Sequence, residues 1–112
     1  MEELKNDFIQ FVKERDWGQY HNPKNLAMCL ACEAAELLEI FQWLSPEDAS
    51  KIMEDEEAAA HVRAEIGDVF NNIIYLSSVL GIDPVAAAKE KLALNKKKYP
   101  VATARGSNKK HE

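Results

Sequence analysis

The chain has 112 residues, 46% of them hydrophobic, with nineteen acidic against fourteen basic side chains and a formal net charge of −5. Such a chain is one small domain, too apolar to be disordered and too acidic to be a general partner of nucleic acid or anionic lipid. The charge is uneven: residues 89–112 hold eight basic and two acidic residues, net +6, and residues 1–88 hold six basic and seventeen acidic, net −11.

Leu4, Phe8, Phe11 and Val12 have helical spacing and predict a first helix over about residues 2–15. Residues 16–22, with Gly18, read as a loop. Asn22-Pro23 combines an N-cap with proline at the first helical position and opens a second helix that runs to about Trp43. Within it, Cys29 and Cys32 read as small core residues of a protein in a reducing cytosol, because neither a second cysteine pair nor a suitably spaced histidine accompanies them. Ser45-Pro46-Glu47-Asp48 has the capping-box form and opens a short third helix. Asp55 caps a fourth, which continues through Ile66, Val69, Ile73 and Leu76 to Gly81. Asp83-Pro84 starts a fifth that ends near Tyr99, where Pro100 blocks continuation, and the last dozen residues read as a tail. Met28, Met53 and the phenylalanines at helical spacing read as core.

Strand signals are absent, so the fold class is all-α: a four-helix-bundle core of about five helices, with a helical domain over 1–104 and a basic tail over 105–112. A core this small favours association into an oligomer. No apolar run approaches the roughly 18 residues of a membrane span. Met1-Glu2-Glu3-Leu4-Lys5 lacks the apolar stretch of a secretory signal. Both point to a cytoplasmic protein with no membrane partner.

On a helical wheel with Glu33 at zero, Leu26 lies about 20° away, Leu37 about 40°, Ile40 about −20° and Leu30 about 60°. Glu33 therefore sits inside the apolar stripe of the second helix, with Glu36 at its edge. With Glu65 at zero, Leu76 lies about 20° away, Val69 about 40° and Val62 about 60°, and Asp68 takes the edge as Glu36 does. Asn72 adds a third polar group to that face. Two helices thus carry carboxylate pairs at i, i+3, embedded alike in core-facing stripes. If the stripes face one another, four carboxylates converge, and burying them uncompensated costs several kcal/mol apiece. A hard divalent cation is the natural compensation, since Mg²⁺ takes oxygen ligands and is held by a few carboxylates with water and phosphate oxygens. A zinc site would want cysteine or histidine at short spacing, and a di-iron bundle Glu-x-x-His; His21, His61 and His111 are too scattered for either. No glycine-rich phosphate loop, nucleophile elbow or His-Glu-x-x-His is present. Glu54-Asp55-Glu56-Glu57 reads as a solvated helix junction.

Glu33-x-x-Glu36 and Glu65-x-x-Asp68, separated by 28 residues, resemble the double motif of the all-α nucleoside triphosphate pyrophosphohydrolases, the MazG-like group. Arg15-Asp16-Trp17, His21-x-Pro23-x-Asn25-Leu26, Glu36-Leu37-x-Glu39-x-Phe41-Gln42-Trp43, Tyr99-Pro100-Val101 and Arg105-Gly106-Ser107 resemble its dCTP pyrophosphatase branch, and the likeness runs from about Phe8 to the tail. The resemblance implies a Mg²⁺-dependent hydrolase that splits a dNTP, dCTP or a modified dCTP favoured, into monophosphate and pyrophosphate in nucleotide-pool control. It implies Glu33, Glu36, Glu65 and Asp68 as the Mg²⁺ ligands, Lys91, Asn95 and Tyr99 as triphosphate contacts, and Trp17, His21 and Trp43 as the base pocket. It also implies a homotetramer built as a dimer of dimers.

The residue types suit these roles. Lys91 and Asn95 are i, i+4 and share a helix face, offering a cation and an amide donor to phosphate oxygens. A base stacked on an aromatic ring gains about 1–3 kcal/mol. A carboxylate not fully used by metal can orient or deprotonate the attacking water, and Glu36, at the stripe edge, is the choice. Two other readings stand beside this one: a non-catalytic nucleotide- or metal-binding helical module, and a helical adaptor that uses its basic tail on an acidic partner. The first predicts binding without product; the second leaves the embedded carboxylates without a role.

Overall fold

Capping chemistry divides this chain into helices at the positions where side chains can satisfy free backbone N–H groups. In the computed structural model, which describes residues 1–106, α1 covers Glu2–Glu14, α2 Pro23–Phe41, α3 Pro46–Ser50, α4 Glu56–Leu80, α5 Pro84–Lys98 and α6 Val101–Ala104. Single 3₁₀ turns stand at Gly18–Tyr20 and Ile52–Glu54. No strand occurs among the described residues, and the fold is all-α. The Asn22 side chain accepts the Asn25 N–H at 2.9 Å, Ser45 that of Asp48 at 3.1 Å, and Asp55 that of Glu57 at 3.1 Å. Asp83 accepts those of Val85 and Ala86 at 3.0 and 3.2 Å. Each such cap is worth about 1 kcal/mol. Gly81 closes α4 at φ 70°, a left-handed conformation that strains residues bearing a Cβ.

The chain divides into two compact units, Met1–Gly81 and the segment from Ile82 on. In the first, α4 is the central element: α2 packs along it and α1 lies against it. Val12, Leu26 and Tyr75 form the buried cluster, with Phe8 and Leu76 packed on it. Ala59, Val62 and Ile74 are buried as well. Asp16, at φ 55°, turns the chain after α1, a conformation that Asp tolerates better than most residues. The Trp17 N–H then donates to the Val12 carbonyl at 3.1 Å. In the second unit, α5 ends on Lys96, Lys97 and Lys98, where positive charge suits the negative end of the helix dipole.

Several sequence expectations change. The second helix stops at Phe41, so Trp43 lies beyond it. Val101–Ala104 is a helical turn rather than the start of a tail, because Pro100 can precede a helix even though it cannot continue one. Of the tail expected over 105–112, residues 107–112, including Ser107, Lys109 and His111, lie outside the described residues. Cys29 and Cys32 are exposed, not core. Met28, Met53, Phe11 and Phe70 are exposed too, whereas Phe8 is half-buried. The physical reason is that α2 is apolar on more than one side: Leu26, Leu30, Leu37 and Ile40 take the sheltered stripe, leaving Met28, Cys29, Cys32 and Leu38 outside it. No single helix among the described residues is long and apolar enough to cross a membrane.

Candidate functional site

Packing of α2 along α4 brings the embedded carboxylates together. Glu33, Glu36 and Glu65 each present an oxygen, and these oxygens lie within 4.8 Å of one another. No other trio of metal-ligating side chains converges in this way among the described residues. Asp68 stands outside the trio, but its negative charge acts on both Glu33 and Glu65. One oxygen of Glu33 and one of Glu65, Oε2 in each, are buried without a hydrogen-bond partner. Buried acceptors are ordinarily satisfied, so two orphaned oxygens in one acidic cluster ask for a cation.

The electrostatics agree. The Glu33 carboxyl is pushed up from 4.5 to about 7, first by burial, then by a hydrogen bond with Glu36, then by the charges of Glu36, Asp68 and Glu65. Glu65 is raised for similar reasons: burial first, then the charge of Glu36 and a hydrogen bond with it, then Asp68. His61 pulls Glu65 the other way, with its Nε2 3.7 Å from Glu65 Oε1. Glu36, itself exposed, thus touches both embedded glutamates and forms the open edge of the cluster. The all-oxygen donor set of the trio suits a hard divalent cation such as Mg²⁺.

A cleft of about 490 Å³ adjoins the cluster. Glu33, with Asp68, Asn71 and Asn72 of α4, lines it, as do Leu4, Asp7, Phe8 and Phe11 of α1 and Trp17 just beyond. The aromatic side is pre-arranged: Phe8 and Phe11 centroids are 5.8 Å apart, and the Trp17 ring sits edge-on to Phe11 at 5.5 Å. The Arg15 guanidinium lies 4.0 Å from the Phe11 ring centroid and donates to the Phe11 carbonyl at 3.0 Å. The Asn72 amide donates to the Asp68 carbonyl at 2.8 Å.

Of the aromatic residues expected at a base, Trp17 lines this cleft. His21 instead pairs with Tyr75, Nδ1 to hydroxyl 3.3 Å, and Tyr75 packs on Phe8 with centroids 5.3 Å apart, so His21 reaches the cleft wall through two rings. Trp43 is 88% exposed beyond the end of α2 and is not part of the cleft lining. Lys91, Asn95 and Tyr99 belong to the second unit: the first two are one turn apart on α5, and the Tyr99 N–H donates to the Asn95 carbonyl at 2.8 Å. Sequence reasoning missed Asp7, Phe8, Phe11 and Asn71 as cleft residues. Phe8 and Phe11 carried only the signal of a core stripe, and Asp7 the faint one of an acid interrupting it.

Residues 29–112 match the MazG-like family. The chain is 35% identical over 108 residues to dCTP pyrophosphatase 1 of Rattus norvegicus, covering 96% of this chain and 63% of that protein. It is 31% identical over 111 residues to dCTP pyrophosphatase 1 of Homo sapiens, covering 99% and 65%. It thus spans less than two thirds of the length of these curated relatives. The crystal structure of a pyrophosphatase from Archaeoglobus fulgidus DSM 4304 superposes with a TM-score of 0.83 at 42% identity, covering 89% of this chain and 92% of that one.

Proposed function

Since the chain belongs to the MazG-like family, we propose that it is a Mg²⁺-dependent nucleoside triphosphate pyrophosphohydrolase acting on dNTPs, with dCTP or a modified dCTP favoured. The observation that carries this reading is the pair of buried, unpartnered oxygens on Glu33 and Glu65 beside a cleft walled by aromatic rings.

In this reading Glu33, Glu36, Glu65 and Asp68 hold the metal. When bound, Mg²⁺ supplies charge neutralisation at the phosphates and lowers the pKa of a nearby water. Glu36 is the exposed member of the converging trio and is the group that orients the attacking water and takes its proton. The water oxygen bonds to the α-phosphorus, the bond from that phosphorus to the bridging oxygen breaks, and monophosphate and pyrophosphate leave. The four carboxylates repel bare phosphate, which makes turnover depend on the cation rather than on the cleft alone. Trp17 gives the base a ring to stack on, and His21 supports the aromatic wall through Tyr75 and Phe8. Lys91, Asn95 and Tyr99 contact the triphosphate.

A homotetramer built as a dimer of dimers is part of the same proposal. Its support is apolar surface that the first unit leaves in water: Leu38 is 60% exposed, Ile66 53% and Trp43 88%. A cytoplasmic, nucleotide-pool role follows from the substrate class and the two free cysteines. The test is incubation with Mg²⁺ and each of the four dNTPs, with products separated by chromatography. Monophosphate and pyrophosphate from dCTP above the others is the result expected, and no product from any of them ends the enzymatic reading.

A further inference from the structure

The inner face of α1 meets the cleft with Leu4, Asp7, Phe8 and Phe11. The positions i, i+3, i+4 and i+7 form one stripe, and three of the four are apolar. Asp7 is the exception. It is the one cleft-lining carboxylate outside the metal-binding set, and it stands on the same wall as the aromatic side chains. Among the described residues its side chain has no hydrogen bond and no ion pair. A capping role is also ruled out by its place in the middle of α1.

A carboxylate at this place constrains what can lie against it. It is acceptor-only, so it repels phosphate oxygens and gains nothing from a ring face. The phosphate end of a nucleotide belongs with Glu33 and Asp68, where a cation would lie, which leaves the base for the Phe8–Phe11–Trp17 side and for Asp7. At a base edge, an exocyclic amino group donates to a carboxylate, whereas a keto oxygen in its place sets two acceptors against each other.

We propose that Asp7 is a specificity-determining residue that selects nucleotides whose base carries an exocyclic amino group over their keto counterparts. The proposal rests on the reading of the cleft as a nucleotide site. Asp7 accepts a hydrogen bond from the amino group and takes no part in the bond cleavage. Charged hydrogen bonds made by one substrate and turned repulsive by its analogue discriminate strongly, here about tenfold or more.

The experiment compares kcat/KM for dCTP and dUTP, whose rings differ in the 4-amino or 4-keto group and in the N3 lone pair or N3–H that accompanies it, in the wild type and in Asp7→Asn and Asp7→Ala with Mg²⁺ present. An amide can accept from an amino group or donate to a keto oxygen, so Asp7→Asn brings the dCTP/dUTP ratio down about tenfold or more, toward unity. Asp7→Ala lowers the same ratio by removing the acceptor. Measured dUTP turnover in the same preparations reports that the variants are folded. A wild type that turns over dNTPs while both variants keep its dCTP/dUTP ratio, or lose both substrates equally, overturns the assignment of Asp7 and leaves the proposed activity standing. A wild type that hydrolyses no dNTP overturns the activity, and this inference with it.

Discussion

Binding of Mg²⁺ to the metal-free protein should expel protons, in an amount that the Glu33 environment sets. With its carboxyl near 7, Glu33 is about half protonated at pH 7. A cation that takes Glu33 as a ligand requires the ionised form, so it displaces about 0.5 proton from this residue at pH 7, about 0.9 at pH 6 and about 0.1 at pH 8. Glu65, raised as well, adds to the release in the same direction. Calorimetric titration with MgCl₂ in two buffers of different ionisation heat gives the number directly. Apparent affinity should also rise with pH across this range. In Glu33→Gln the release from this residue disappears and Mg²⁺ binding weakens. A wild-type release near zero at pH 6, with equal affinity at pH 6 and 8, would refute the assignment of Glu33 as a buried ligand.

Other expectations concern activity and stability. Glu33→Gln and Asp68→Asn should each abolish dNTP turnover with far-UV circular dichroism unchanged; full activity in either removes that residue from the metal set. Because the folded-state pKa of Glu33 is raised, its protonated form stabilises the metal-free fold fully below about pH 4.5, and that contribution is lost as pH rises through about 7. The metal-free thermal midpoint should therefore fall between pH 5 and 8, less steeply in Glu33→Gln, and saturating Mg²⁺ should recover it; a flat profile contradicts this. Leu26→Ala, in the buried cluster with Val12 and Tyr75, should destabilise by about 2–5 kcal/mol in denaturant unfolding.

Local signals were the legible ones. Asn22-Pro23, Ser45-Pro46, Asp55, Gly81 and Asp83-Pro84 each act within a few residues, and the structure starts or stops a helix at every one. The embedding of Glu33 and Glu65, with Glu36 and Asp68 more exposed, was legible because helical periodicity alone decides which face a residue shares. The cleft was not. Whether Phe8 and Phe11 close a core or wall a cavity depends on how α1 lies against α4, and spacing within α1 carries no record of that. Asp7 was passed over for the same reason. Cys29, Cys32 and Met28 misled because an apolar residue looks the same in sequence whether its helix buries one stripe or two. His21 could be placed near Trp17 by proximity along the chain, but its pairing with Tyr75 joins residues 54 apart.

The most direct test of the carboxylate cluster as a hydrolytic metal centre is product analysis of dCTP incubated with Mg²⁺, with and without EDTA. dCMP and pyrophosphate are expected in equal amounts, and neither once the metal is chelated. Release of dCDP and inorganic phosphate, or undiminished turnover in EDTA, would contradict it.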